Sequence, residues 1–302
     1  MPETGLTYAT LCAVGTGLLW CGIGVLISKV TSRGTDFPCF MAGSYVVTAL
    51  LALVLFPRHT LLLTGPVPRL WNTIGVLLAA GLLSSTGLLL LNRAMALGPH
   101  GASWTIAQSA LVVPFAVGVL LWHDQSTALN LCGVAAILGA LIAFGMARAR
   151  RDHDTHPESG KWFAFALATL AVFGLQQTLM TIPSRWPDWS DAVRLRIPLF
   201  TTGCAICYVI VTLHRGGWPP FKFRKEHLIL PCIALPSQFL LFLALDISAE
   251  YGRTGLVYPL TVGTCIVSFA LYSALVLREP LSRCTLAGMV MGAVGVVLVA
   301  LR

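Results

Sequence analysis

Apolar positions along this chain gather into ten runs, each about long enough to cross a bilayer. They are Leu6–Ser28, Phe37–Phe56, Ile74–Leu91, Ala102–Trp122, Ala128–Met146, Trp162–Ile182, Val193–Leu213, Leu228–Ile247, Gly255–Leu277 and Leu286–Leu301. About 20 apolar residues span the hydrocarbon core as a helix. Lipid offers backbone N–H and C=O groups no partner, and the runs are too long for barrel strands, so each span is expected to be helical. The pattern predicts an all-α membrane protein of ten transmembrane helices. Too little chain is left over for a soluble domain with an active site of its own. The first run is too long for the apolar core of a signal peptide, shows no small-residue cleavage site, and is followed by nine more. It is expected to stay in the mature chain.

The most polar internal segment, Ala147 to Lys161, divides the spans five and five. The expected organisation is a first five-helix repeat over 1–146, a polar linker over 147–161 and a second five-helix repeat over 162–302. The halves resemble one another. Leu121-Trp122-His123-Asp124-Gln125 followed by Gly133 is matched by Val276-Leu277-Arg278-Glu279-Pro280 followed by Gly288. Leu97-Gly98-Pro99-His100-Gly101 is matched by Tyr251-Gly252-Arg253-Thr254-Gly255. An odd number of spans per half turns the second half upside-down in the membrane. Two inverted repeats are the architecture of secondary transporters, with the site near the bilayer midplane where the halves meet.

Composition narrows the class. Hydrophobic residues make up 56% of the chain and charged residues 11%, against about 25% charged in soluble domains. The net charge of +8 does not indicate nucleic acid. The basic residues sit at span ends and in short loops, where they anchor helices. Most of the nine cysteines fall inside spans and read as small packing residues. Cys204 and Cys207 form a C-x-x-C, but in a predicted membrane helix and with no second pair, so no metal site and no disulfide framework is expected.

Three features resemble the drug/metabolite transporter superfamily, specifically its EamA-like ten-span members. The first span carries Gly17-Leu18-Leu19-Trp20, with Lys29 near its end. The ninth ends on Leu277-Arg278-Glu279-Pro280-Leu281, followed by Gly288, Gly292 and Gly295. The five-plus-five layout is the third. Asp124-Gln125 departs from the family's usual Glu-Pro in the first half but keeps the acid. The resemblance implies carriage of small metabolites, often export of amino acids or related compounds, from a position in the cell (inner) membrane.

Polar residues within the spans supply the candidate site. Lys29, Arg93, Arg194, Arg196, Asp246 and Glu250 lie near span ends, where long side chains can snorkel to water. The first span has no central carboxylate, which argues against exchange of cationic drugs for protons and favours a neutral or zwitterionic solute. The interior polar groups are neutral. Tyr258, Thr261, Cys265, Ser268 and Tyr272 recur at helical spacing in the ninth span. Trp104 and Gln108 lie one turn apart in the fourth. Gln176 and Gln177 lie in the sixth, and Gln238 in the eighth. A lipid-facing glutamine would leave its amide unsatisfied, so these side chains are expected to face protein or water, one of Gln176 and Gln177 lining a path and the other packing. Trp20 and Tyr45 complete the expected substrate-binding set. Pro114 and Pro259, in repeat-equivalent spans, are candidate hinges. Glu279, beside Pro280, is expected to bind backbone N–H groups and act structurally. Gly288 and Gly292 form a G-x-x-x-G that can pack on the fifth span or support a homodimer.

Together these residues predict a secondary transporter moving a small polar metabolite by alternating access, with export of an amino acid or related compound as the first reading and import of a neutral sugar as the alternative. A channel is a weaker reading. An enzyme is not expected: no H-E-x-x-H and no G-x-S-x-G occurs. The expected partners are the solute and the lipid bilayer, with no cofactor.

Overall fold

A computed structural model describes residues 2–32, 36–56, 69–97, 103, 106–152, 159–187, 193–216, 225–276 and 283–301. Among these residues the regular structure is entirely helical. The α-helices are α1 (Pro2–Ser32), α2 (Phe37–Leu55), α3 (Leu70–Leu97), α4 (Val112–Leu121), α5 (Ala128–Asp152), α6 (Ser159–Thr181), α7 (Arg196–His214), α8 (Glu226–Glu250), α9 (Val257–Leu275) and α10 (Arg283–Ala300). Six segments are long and apolar enough to cross a membrane: Thr4–Leu26, Phe37–Leu55, Leu70–Leu97, Gly160–Arg185, Val193–His214 and His227–Glu250. Four shorter apolar helices cover Ile106–Leu121, Ala128–Ala143, Thr254–Ser268 and Leu286–Ala300. Large aliphatic side chains such as Val54, Leu120, Ile142, Leu275 and Val297 stand exposed on the outside. In water such a surface would aggregate; against lipid tails it is the expected one. The chain is a membrane protein. The polar segment read as a linker is helical at both ends, since α5 runs on to Asp152 and α6 begins at Ser159.

The helices pack in a definite set of pairs: α5 with α10, α3 with α6 and α7, α1 with α8 and α9, α2 with α7 and α8, α4 with α6, and α9 with α10. Lipid provides little hydrophobic drive between helices, so close approach matters more than apolar content. Glycine permits that approach at several crossings, among them α1 with α9 and α5 with α10. A Cβ on Gly17 of α1 would lie 2.5 Å from the Thr261 carbonyl oxygen of α9. Gly133 of α5 and Gly295 of α10 face each other, and a Cβ on either would lie 2.8 Å from the other's carbonyl oxygen. Gly292 also meets its neighbours within the chain, against Val267 and Ala140. Gly292 and Gly295 are therefore engaged inside the protomer.

Several hydroxyl groups inside the bundle find their partners on their own helix. Thr16 donates to the Cys12 carbonyl at 2.9 Å and Thr48 to the Ser44 carbonyl at 2.7 Å. This i−4 pattern hides a hydroxyl that lipid cannot solvate. The start of α5 is held by a reciprocal cap. The Asn130 N–H donates to Thr127 Oγ1 at 3.2 Å, and the Thr127 N–H donates to Asn130 Oδ1 at 3.0 Å. That is capping-box logic with Asn in the usual Glu or Gln position. Asn130 Nδ2 then donates to the carbonyls of Val299 and Leu301, each at 3.1 Å, satisfying orphan acceptors at the end of α10.

The packing generates a paired prediction. Gly17→Ala should lower stability by about 1–3 kcal/mol through overpacking against α9. Gly75→Ala, whose new Cβ meets nothing within 4 Å, should leave stability unchanged or raise it by up to about 1 kcal/mol through helix propensity. Thermal unfolding of the two variants in detergent checks both; equal melting temperatures would contradict the α1–α9 contact.

Candidate functional site

The dense packing leaves an internal cavity of about 150 Å³. Its walls come from seven of the α-helices and from Gln108, which lies on the helical turn just before α4. Gln176, Gln177 and Gln238 line it, and so do Trp20, Tyr45, Tyr258 and Cys265. Apolar walls are added by Met41, Leu88, Phe173, Phe200, Leu230 and Leu241, which the sequence did not single out. The side chains lining this cavity carry no formal charge.

Three polar atoms here are buried without a hydrogen-bond partner: Gln177 Oε1, Gln238 Oε1 and Tyr258 Oη. An unsatisfied buried donor or acceptor costs about 1–3 kcal/mol. Three at one cavity mark it as a place where water or a polar solute completes the bonding. Gln176 and Gln177 both reach the cavity, although one was expected to pack. The difference between them is bonding: the Gln176 amide donates to the Met180 sulfur one turn along α6. Tyr45 is oriented by stacking on Tyr208, with ring centroids 5.5 Å apart.

Other expected residues lie elsewhere. Thr261 is fully buried and donates to the Ala13 carbonyl of α1 at 3.2 Å. It seals the α1–α9 contact rather than lining the cavity, so the polar stripe of α9 divides between two tasks. Ser237, beside Gln238, donates back to the Ala234 carbonyl at 2.8 Å. Trp104 and Glu279 lie outside the described residues. Pro114 and Pro259 are each the third residue of an α-helix and each follows a three-residue 3-10 turn, Ser109–Leu111 before α4 and Thr254–Leu256 before α9. The cause is local. Proline has no N–H to give the carbonyl four residues back, Ala110 or Gly255, and its ring crowds that carbonyl, so the turn tightens. In α9 the proline therefore sits at the helix head. In α4 it follows a break, because residues 106–108 are already helical.

The charged residues require a correction. Arg196, expected to snorkel from a span end, is 0% exposed. Its Nη1 donates to Asp246 Oδ1 at 2.6 Å, its Nη2 donates to the Met180 carbonyl, and its guanidinium lies over the Phe242 ring, 4.4 Å from the centroid. Ser184 also donates to Asp246 Oδ1, at 2.6 Å. The pair sits just behind the cavity wall formed by Met180 and Phe200. A second pair joins Arg185 to Asp124, with Nη2 at 2.7 and 2.8 Å from the two carboxylate oxygens. Asp124 Oδ2 also accepts from Thr254 Oγ1 and from the Gly255 N–H, both at 2.9 Å, and Thr254 Oγ1 accepts from Arg185 as well. The Arg185 guanidinium covers the Trp122 ring at 4.2 Å from its centroid. Opposite charges near the ends of separate spans were the signal in the sequence; partner choice was not readable from it.

Removing one member of a buried pair strands the other charge, at a cost of about 3–5 kcal/mol. Arg196→Leu should therefore lower the melting temperature steeply, whereas Arg196→Met combined with Asp246→Leu should recover most of the loss. Detergent melting curves of the single and double variants check this, and equal losses would contradict the pairing.

No family model and no curated protein matches the chain. At the level of fold, 26 chains of solved structures match. One, described only as "Crystal structure of protein", is similar with a TM-score of 0.72 over 97% of this chain and 98% of its own, at 14% identity. At that identity the likeness is one of fold.

Proposed function

We propose that this chain is a secondary transporter of the EamA-like, drug/metabolite type, built as two inverted five-helix repeats and exporting a small neutral or zwitterionic metabolite, an amino acid or related compound, by alternating access. The observation that carries the reading is the uncharged interior cavity with three unpartnered polar atoms. A membrane protein has no packing reason to leave Gln177, Gln238 and Tyr258 unsatisfied together. A solute with several hydrogen-bonding groups gives them a use, and the absence of charge in the lining favours one with no net charge.

The packing pairs support the repeat. Renaming α1–α5 as α6–α10 and the reverse exchanges α3–α6 with α8–α1, α3–α7 with α8–α2, and α4–α6 with α9–α1. The pairs α2–α7 and α5–α10 map onto themselves, while α9–α10 has no comparable counterpart at α4–α5 among the described residues. Such exchange is expected of two copies of one unit related by a two-fold axis. The residues of the Gly17-x-x-Trp20 opening have separate uses on this reading: Gly17 brings α1 against α9, and Trp20 walls the site. Pro114 and Pro259, each beside a 3-10 turn, offer points where α4 and α9 can bend as the cavity changes the side it faces.

The test is counterflow in proteoliposomes with a panel of amino acids, amines, nucleosides and sugars. The reading expects saturable uptake of a neutral or zwitterionic solute, stimulated by the same solute inside. Gln108→Leu and Gln238→Leu should each cut that uptake about tenfold, the factor of one lost hydrogen bond of about 1.4 kcal/mol, with melting temperature preserved. Uptake confined to sugars would favour the importer alternative. Flux that neither saturates nor responds to counterflow would indicate a channel.

A further inference from the structure

The Asp124 cluster lies at one face of the bundle and does not line the cavity. Three connections meet there. Asp124 follows α4, the turn Pro183–Arg185 follows α6, and Thr254 and Gly255 precede α9. Both ends of the described chain reach the same face: Gly5 of α1 lies against the Tyr251 ring, and Leu301 is bonded by Asn130 at the start of α5. The cavity approaches this face as far as Met180, Phe200 and Tyr258. Along α6 and the turn after it the cluster's Arg185 follows the lining residue Met180 by five positions, and at the head of α9 its Thr254 precedes the lining residue Tyr258 by four, so the Asp124 cluster lies about one helical turn beyond these two walls. A solute leaving between α6 and α9 toward this face would meet the place where Asp124 holds the three connections together.

The bonds differ in what they join. Ser184, Arg196 and Asp246 all belong to the second half of the chain. Asp124 belongs to the first, and its carboxylate holds Arg185, Thr254 and Gly255 of the second. The fit is tight, since a Cβ on Gly118 would lie 2.8 Å from Asp124 Oδ2 and 3.2 Å from Gly255 Cα. One backbone bond backs it, from the Gln125 N–H to the Gly252 carbonyl at 2.8 Å. The end of α4 is thus fastened to the head of α9, and each of these helices has its proline and 3-10 turn.

We infer that Asp124, with Arg185, Thr254 and Gly255, is the gate that closes the cavity toward the face where the chain begins and ends, and that it must open for transport. This rests on the transporter reading above. A charge-assisted cluster suits the task. While closed it is dry and strong, and once parted each charged group is solvated by entering water.

Cys265 lines the cavity and gives a direct readout. Proteoliposomes are prepared with a C-terminal tag whose protease accessibility reports orientation. An impermeant maleimide is added at the tagged face, and modification of the Cys265 peptide is followed by mass spectrometry. Asp124→Asn and Arg185→Gln should each raise the rate of Cys265 modification from that face by about tenfold, and Arg185→Lys should stay close to the wild type. Thr254→Val removes the hydroxyl's bonds to Asp124 and from Arg185 but no charge, so it keeps the test available if the charge variants fail to fold; a smaller rise of about threefold is expected. Unchanged modification in the folded variants, or wild-type Cys265 modified equally fast from both faces, would overturn the gate. The measurement needs no solute. Unchanged modification with intact counterflow removes the gate alone, and faster modification without counterflow of any solute removes the transport reading alone.

Discussion

A polar side chain inside an apolar helix bundle can find a partner in three places: its own backbone, a neighbouring helix, or a solvated cavity. Lipid offers nothing. The arrangement of this protein follows from how each residue type meets that constraint. Short hydroxyls solve it locally, as Thr16 and Thr48 do by bonding one turn back. Residues with longer reach solve it across helices, as Asn130 does on the end of α10. Gln177, Gln238 and Tyr258 solve it in neither way, and all three border one cavity. Unpartnered atoms also occur singly elsewhere, as at Ser44 and Thr73, but here three gather at one cavity, where water or a solute can complete them.

Charge obeys the same rule at higher stakes. An ionised group out of water is tolerated only with a partner and further hydrogen bonds. Asp124 and Asp246 each have an arginine and additional donors. Both pairs are kept off the cavity wall, which stays neutral. On the proposed reading, that separation would let the cavity serve a solute without net charge while the Asp124 cluster closes the face beyond it. The Arg196 pair and the cavity share one residue, because the Met180 carbonyl is bonded by Arg196 while Met180 itself lines the cavity.

Much of this was legible in the sequence because the physics is one of pattern. Each of the ten apolar runs holds a helix, six of them long and apolar enough to cross a membrane and four shorter; α5 continues into the polar segment, and the fourth run is interrupted by a 3-10 turn. The glutamines were readable because an amide has no place against lipid. Thr261 was not readable: it shares a helical stripe with Tyr258 and Cys265, yet a hydroxyl is small enough to be satisfied at a tight crossing, and the Gly17 contact that makes the crossing tight lies far away in sequence. Arg196 was misread for a related reason. Position near a span end says that an arginine can reach water, not that a better partner waits in the next helix. The paired prolines were visible, but their 3-10 turns depend on where each helix starts.

The central claim is that one neutral cavity holds the transported solute through the unpaired groups of Gln177, Gln238 and Tyr258. It is tested most directly by a structure determined in a lipid nanodisc with whichever panel solute most raises the melting temperature. The account predicts solute density within hydrogen-bonding distance of at least two of those three groups, and loss of the thermal shift in Gln238→Leu. Solute density outside this cavity, or a cavity filled by a lipid acyl chain while the solute still stabilises the protein, would contradict it.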